Sequence, residues 1–163
     1  MELLSHRFSF AIAVRIILVL TIQIPRGKIG LDFTRIDMSI YKFLLSTKNI
    51  DPRTEGYLRD AHMMGFQQLR TVLIQDLYFI ECQLMQEDLQ QLALKLLTDP
   101  VTQSVVWMEL PGPLSSPASE SVILEVALRP GVTDPIAEQI VRAARELNLH
   151  GVQRAATGQR FIL

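Results

Sequence analysis

The chain has 163 residues, 48% of them apolar and 20% charged, which fits one folded domain or two small ones and excludes disordered, collagen-like and coiled-coil chains. Sixteen Lys and Arg against seventeen Asp and Glu give a net charge of −1, the wrong balance for a protein built to hold nucleic-acid phosphates. Cys82 is the single cysteine, so neither an internal disulfide framework nor a cysteine-rich metal site can form, as in a reducing, cytoplasmic setting.

Residues 1–35 stand apart as a hydrophobic leader. Phe8 to Ile24 is an apolar run interrupted by Ser9, Arg15, Thr21 and Gln23. As a membrane helix it falls short of the roughly 20 residues needed, and Arg15 near its middle costs about 2.5–3.5 kcal/mol. As a secretory signal it has His6 and Arg7 in front, but Pro25-Arg26-Gly27-Lys28 stands where a small-x-small cleavage site belongs. Met38, directly before the first patterned strand, makes a natural start. Three readings stay open: a misassigned start or unstructured leader, an added element packed on the fold, and a membrane or signal segment.

From residue 36 strand-like and helical runs alternate. Ile36 to Leu45 reads as a strand ending in the turn-like Ser46-Thr47-Lys48-Asn49. Asp51-Pro52 then opens a helix, because Asp accepts from free first-turn amides and Pro has no amide to lose. That helix places Tyr57, Leu58, Ala61 and Met64 on one face, with Gly65 as its stop. Leu69 to Gln75 and Leu77 to Gln83 read as two strands joined by a turn at Gln75-Asp76. A helix over 86–98 comes next, with Leu89, Leu92, Ala93, Leu96 and Leu97 at helical spacing; Asp99-Pro100 ends it, and Gln103 to Leu110 is a last strand. The order over 36–110 is β-α-β-β-α-β, an α+β, ferredoxin-like two-layer module.

Residues 111–120, with Pro111-Gly112-Pro113 and Ser115-Ser116-Pro117, form a linker. The chain beyond this linker repeats the pattern that precedes it: Asp134-Pro135 lies 83 residues after Asp51-Pro52. Aligning 40–80 with 123–163 at that offset gives only seven identities in 41 positions, but 16 apolar positions coincide where chance gives about 10. Ser121 to Arg129 is then a strand, and Asp134 to Leu147 a helix with Ile136, Ile140, Ala144 and Leu147 inward. Residues 151–163 read as a hairpin around Thr157-Gly158. The expectation for 121–163 is a truncated second module, β-α-β-β, without its second helix and last strand.

The stretch Leu128-Arg129-Pro130-Gly131-Val132-Thr133-Asp134-Pro135, its helix and the later GVQRAATGQRFIL resemble the PurS family, with a strand ending in Lys/Arg-Pro-Gly-Val and an Asp-Pro helix start. The first copy is similar more loosely: Thr47-Lys48-Asn49-Ile50 replaces Pro-Gly-Val-x, while Leu96-Leu97-Thr98-Asp99-Pro100-Val101 matches the family's helix end. Two such modules in tandem resemble the N-terminal region of phosphoribosylformylglycinamidine synthase, which makes an amidine from formylglycinamide ribonucleotide with ATP and glutamine in purine biosynthesis. The resemblance implies an assembly role, non-catalytic by itself, joining an ATP-using synthase to a glutaminase for ammonia transfer. ATP and magnesium belong to the whole enzyme, and no cofactor is expected within this stretch. The family motif Arg129, Pro130, Gly131, Asp134 and Pro135 is implied to be structural, with partner contact as its second use.

A direct search for chemistry finds no catalytic residue. Cys82 ends a strand and nothing marks a base for it. His6, His62 and His150 are scattered without ligand spacing, and neither GxxxxGK[ST] nor GxGxxG occurs. Trp107 is expected in the core or a module interface, Met63, Met64 and Met85 in core gaps, and Arg154 and Arg160 on a solvated strand face. A sheet covered on one side leaves open edges, and pairing of modules or a homodimer would cover them. An ACT-like small-ligand domain shares the strand order, with 130–133 as its ligand loop. An RNA-recognition module is a further class, but Leu77-Tyr78-Phe79-Ile80-Glu81 lacks its signature and residues 36–163 carry −4.

Overall fold

The computed structural model describes residues 38–112, 121–129 and 131–163; the expected leader, most of the linker and Pro130 lie outside them. The elements are β1 (Ser39–Thr47), α1 (Arg53–Met63), β2 (Leu73–Cys82), α2 (Gln86–Gln91) running on as a π-helical turn (Leu92–Leu97), β3 (Gln103–Leu110), β4 (Ile123–Ala127), α3 (Pro135–Glu146) and β5 (Val152–Ile162). The strands form one antiparallel five-stranded sheet in the order β3-β1-β2-β5-β4, an α+β fold. Among the described residues no helix is long and apolar enough to cross a membrane.

Two predicted turns are absent. Leu73 to Cys82 is one strand straight through Gln75-Asp76, so 39–110 runs β-α-β-α-β in place of the expected β-α-β-β-α-β. Neither residue supplies a positive φ or a fixed turn, and pairing on both sides of β2 holds the strand extended. Likewise 152–162 is one strand through Thr157-Gly158, and 121–163 contributes β-α-β without a hairpin. Gly158 serves close approach: a Cβ there would lie 2.5 Å from the Val126 carbonyl oxygen on β4.

Strand alternation sorts the side chains. Tyr41, Phe43, Leu45, Tyr78, Ile80, Cys82, Val105 and Trp107 face the helices and pack with Leu89, Leu92, Ala93, Leu97, Ile140 and Ala144. Trp107, half-buried, packs against the core and stacks on Phe43 with ring centroids 5.9 Å apart. In α3 the inward residues are Ala137, Ile140 and Ala144, while Ile136 and Leu147, expected inward, are exposed. Helix α1 buries none of its residues. Met63, Met64 and Met85 are exposed rather than core fillers, because each stands beyond the sheet's reach in α1, its end or a loop.

In the β2–β5 pair Asp76 lies opposite Gln159, residues separated by the same 83 positions as the two Asp-Pro steps. The β1–β2 pairing (Ser39 with Cys82) recurs in β4–β5 (Ile123 with Ile162) with an even slip, so every side chain keeps its face.

Candidate functional site

Arg129 and Val132 close a turn ahead of α3. The Val132 amide donates to the Arg129 carbonyl at 3.1 Å, and Gly131 stands at φ +87°, a conformation that strains any residue with a Cβ. Arg129 and Gly131 are exposed. Asp134 then caps α3 as expected: it accepts from the Ala137 amide at 3.0 Å, and Pro135 fills the first helical position. Its second oxygen accepts from the Thr157 amide and hydroxyl at 2.8 and 3.0 Å, which ties the helix start to β5. Burial alone would raise the Asp134 carboxyl, but these donors outweigh it and hold the group below its ordinary value. With its oxygens so engaged, Asp134 is a structural acid rather than a proton carrier.

The equivalent corner of the first half is built differently. The buried Asp51 accepts from the Arg53 amide at 2.9 Å and from the Arg53 guanidinium, whose Nη1 and Nη2 also donate to Asp76 on β2 at 2.8 and 3.1 Å. The Arg53 guanidinium beside it holds the Asp51 carboxyl below the usual carboxylate range. Here Arg53 plays the tying part that Thr157 plays for Asp134. Arg53 and Thr157 have no family counterpart in the sequence reading, and only the placement of β2 and β5 brings them in.

Beside α3 an open groove of about 430 Å³ is lined by Val132, Thr133, Asp134, Glu138, Gln153 and Arg154 among others. Arg154, exposed as expected, donates to Glu81 at 2.7 Å. Arg160 corrects its expectation, because it is buried on the helix-free face, where strand neighbours enclose it. Its Nε lies 3.7 Å from Glu125 and makes no hydrogen bond among the described residues. On that face Lys42 of β1 meets Glu125 of β4 at 2.5 Å, across the two central strands, with its ammonium 5.7 Å from the Phe79 ring centroid.

Cys82 is buried, and desolvation, with a smaller push from Glu109, drives its thiol up to about 11. It is protonated at neutral pH and carries no nucleophile's environment. His62 Nε2 contacts the Leu69 carbonyl at 2.8 Å, and among the described residues no three His, Cys, Asp or Glu gather to hold a metal ion. Among the described residues the arrangement around α1 and α3 offers caps, ties and surfaces. No protein-family model and no curated protein matches this chain.

Proposed function

We propose that the chain is the structural and assembly part of phosphoribosylformylglycinamidine synthase. It is non-catalytic by itself and joins an ATP-using synthase to a glutaminase so that ammonia passes between them in purine biosynthesis. Within this reading β1-α1-β2 and β4-α3-β5 are two PurS-like copies, the first continuing into α2 and β3. ATP and magnesium are assigned to the synthase part, and the setting is the cytoplasm.

The observation that carries the reading is the coincidence of two offsets. The Asp-Pro helix starts recur 83 residues apart, and residues 83 apart, Asp76 and Gln159, face each other at the centre of the sheet. A tandem duplication whose halves pair about a local two-fold axis produces that coincidence. The motif Arg129-Pro130-Gly131-Val132 with Asp134-Pro135 adds the family resemblance, and the engaged oxygens of Asp134 favour scaffold over chemistry.

Reconstitution tests the proposal. Synthase and glutaminase parts from the same source, assayed with and without this chain, should lose glutamine-dependent amidine formation without it and keep the ammonia-dependent reaction. Equal glutamine-dependent rates in both mixtures would sink the proposal. The ACT-like alternative gains ground if calorimetry shows heat with one amino acid and none with either protein part.

A further inference from the structure

The two halves are covered unequally. At an offset of 83, Ile140 and Leu149 of the second half correspond to Tyr57 and Phe66 of the first. Ile140 and Leu149 are 7% and 3% exposed, packed with Leu89, Leu92, Ala93 and Leu97; Tyr57 and Phe66 are 39% and 63% exposed. On the strands the imbalance runs the other way: Phe43 of β1 is fully buried, and its counterpart Val126 of β4 is 44% exposed. Positions that are covered by α2, its π-helical turn and β3 on one side lie bare around α1 and β4 on the other.

The backbone shows the same vacancy. β1 has β2 on one side and β3 on the other, whereas among the described residues β4 has β5 alone. Val122 and Leu163 exchange both of their backbone hydrogen bonds, so the antiparallel alternation turns the amides and carbonyls of Ile123, Glu125 and Ala127 toward the open edge. Tyr57 meanwhile makes an edge-on contact with Phe161 at 5.0 Å, leaving an aromatic shelf beside that edge.

We propose that the β4 edge and the α1 face together form one docking site, whose occupant is a polypeptide segment consisting of an amphipathic helix that runs into a strand. The strand pairs antiparallel with β4 through Ile123, Glu125 and Ala127, and the helix lays an apolar stripe on Tyr57, Phe66 and Phe161. The protein's own first half displays this occupant: residues 86–110 cover the equivalent surface. A second copy pairing β4 with β4 would satisfy the edge alone and leave Tyr57 and Phe66 bare, so the helix-and-strand segment accounts for more of the surface. The inference uses the internal repeat but neither the synthase nor the glutaminase, so its failure and that of the assembly role are separable.

The test uses a fluorescently labelled peptide with the sequence of residues 84–110, titrated into the full chain. Saturable binding is expected, with amide exchange at Ile123, Glu125 and Ala127 slowed about tenfold or more. Val126→Lys should abolish binding, while Val106→Lys, an exposed change on the helix-free face of β3, should bind as the parent does; circular dichroism verifies that both are folded. The proposal is overturned by lack of saturable binding to the folded parent, by binding without protection of those three amides, or by equal binding to Val126→Lys. It is also overturned if ultracentrifugation shows a dimer that protects the same amides and excludes the peptide.

Discussion

Two aspartates at helix starts hold their corners by different means, and each can be removed separately. Replacing Asp134 by Ala leaves the Ala137 and Thr157 amides without their shared acceptor; a lost cap costs about 1–2 kcal/mol. Thermal unfolding should record a fall of several degrees, with Asp134→Asn recovering part of it; an unchanged midpoint for Asp134→Ala would count against the cap. Acid titration checks the same residues together. Asp51 and Asp134 both lie below the ordinary carboxylate value of about 3.9. Their contribution is fully present above that unfolded-state value and is lost as pH falls through the lower folded-state values, since the unfolded chain takes up protons first. Chemical denaturation at stepped pH should show stability declining below about pH 4, with a shallower decline in Asp51→Asn.

At the scale of elements, Gly158 decides whether β4 stays on the sheet. A Cβ at this position collides with the Val126 carbonyl, so Gly158→Ala should separate β4 from β5 locally. Hydrogen exchange should quicken at Leu124 and Val126 while β1 and β3 stay protected; uniform exchange rates would contradict that close approach. How much the sequence discloses also divides by element. The Asp-Pro start of α3, the leucine pattern of 86–97 and the strands at 103–110 and 121–129 are legible because cap chemistry and periodicity are local signals. The turns expected at Gln75-Asp76 and Thr157-Gly158 fail because long strands in the middle of a sheet are held by partners on both sides, which local composition does not encode. The exposure of α1 is equally hidden: its apolar stripe is present, but what lies over a stripe is a tertiary matter. Of the expected site motif, Asp134, Pro135 and Gly131 take the cap and turn roles foreseen, whereas Arg53 and Thr157 emerge only from strand placement.

Across the whole molecule, the Lys42–Glu125 pair links β1 of the first half to β4 of the second over β2 and β5. Both side chains are largely shielded from water, so the pair is screened less than a surface bridge. A double-mutant cycle with Lys42→Met and Glu125→Gln should give a coupling of about 0.5–3 kcal/mol in denaturant unfolding. Additive losses would mean that the halves do not communicate through this contact. The central position of β5 has a further consequence, one of time. Its partners on β2 lie about 70–90 residues earlier in the chain, so β3, β1 and β2 are all synthesised before the strand that closes them. Until Val152–Ile162 arrives, the inner edge of β2 is an open template for any other extended segment. The nascent protein is therefore most vulnerable to aggregation just before β5 emerges, and slowed translation over these residues should reduce the yield of soluble chain.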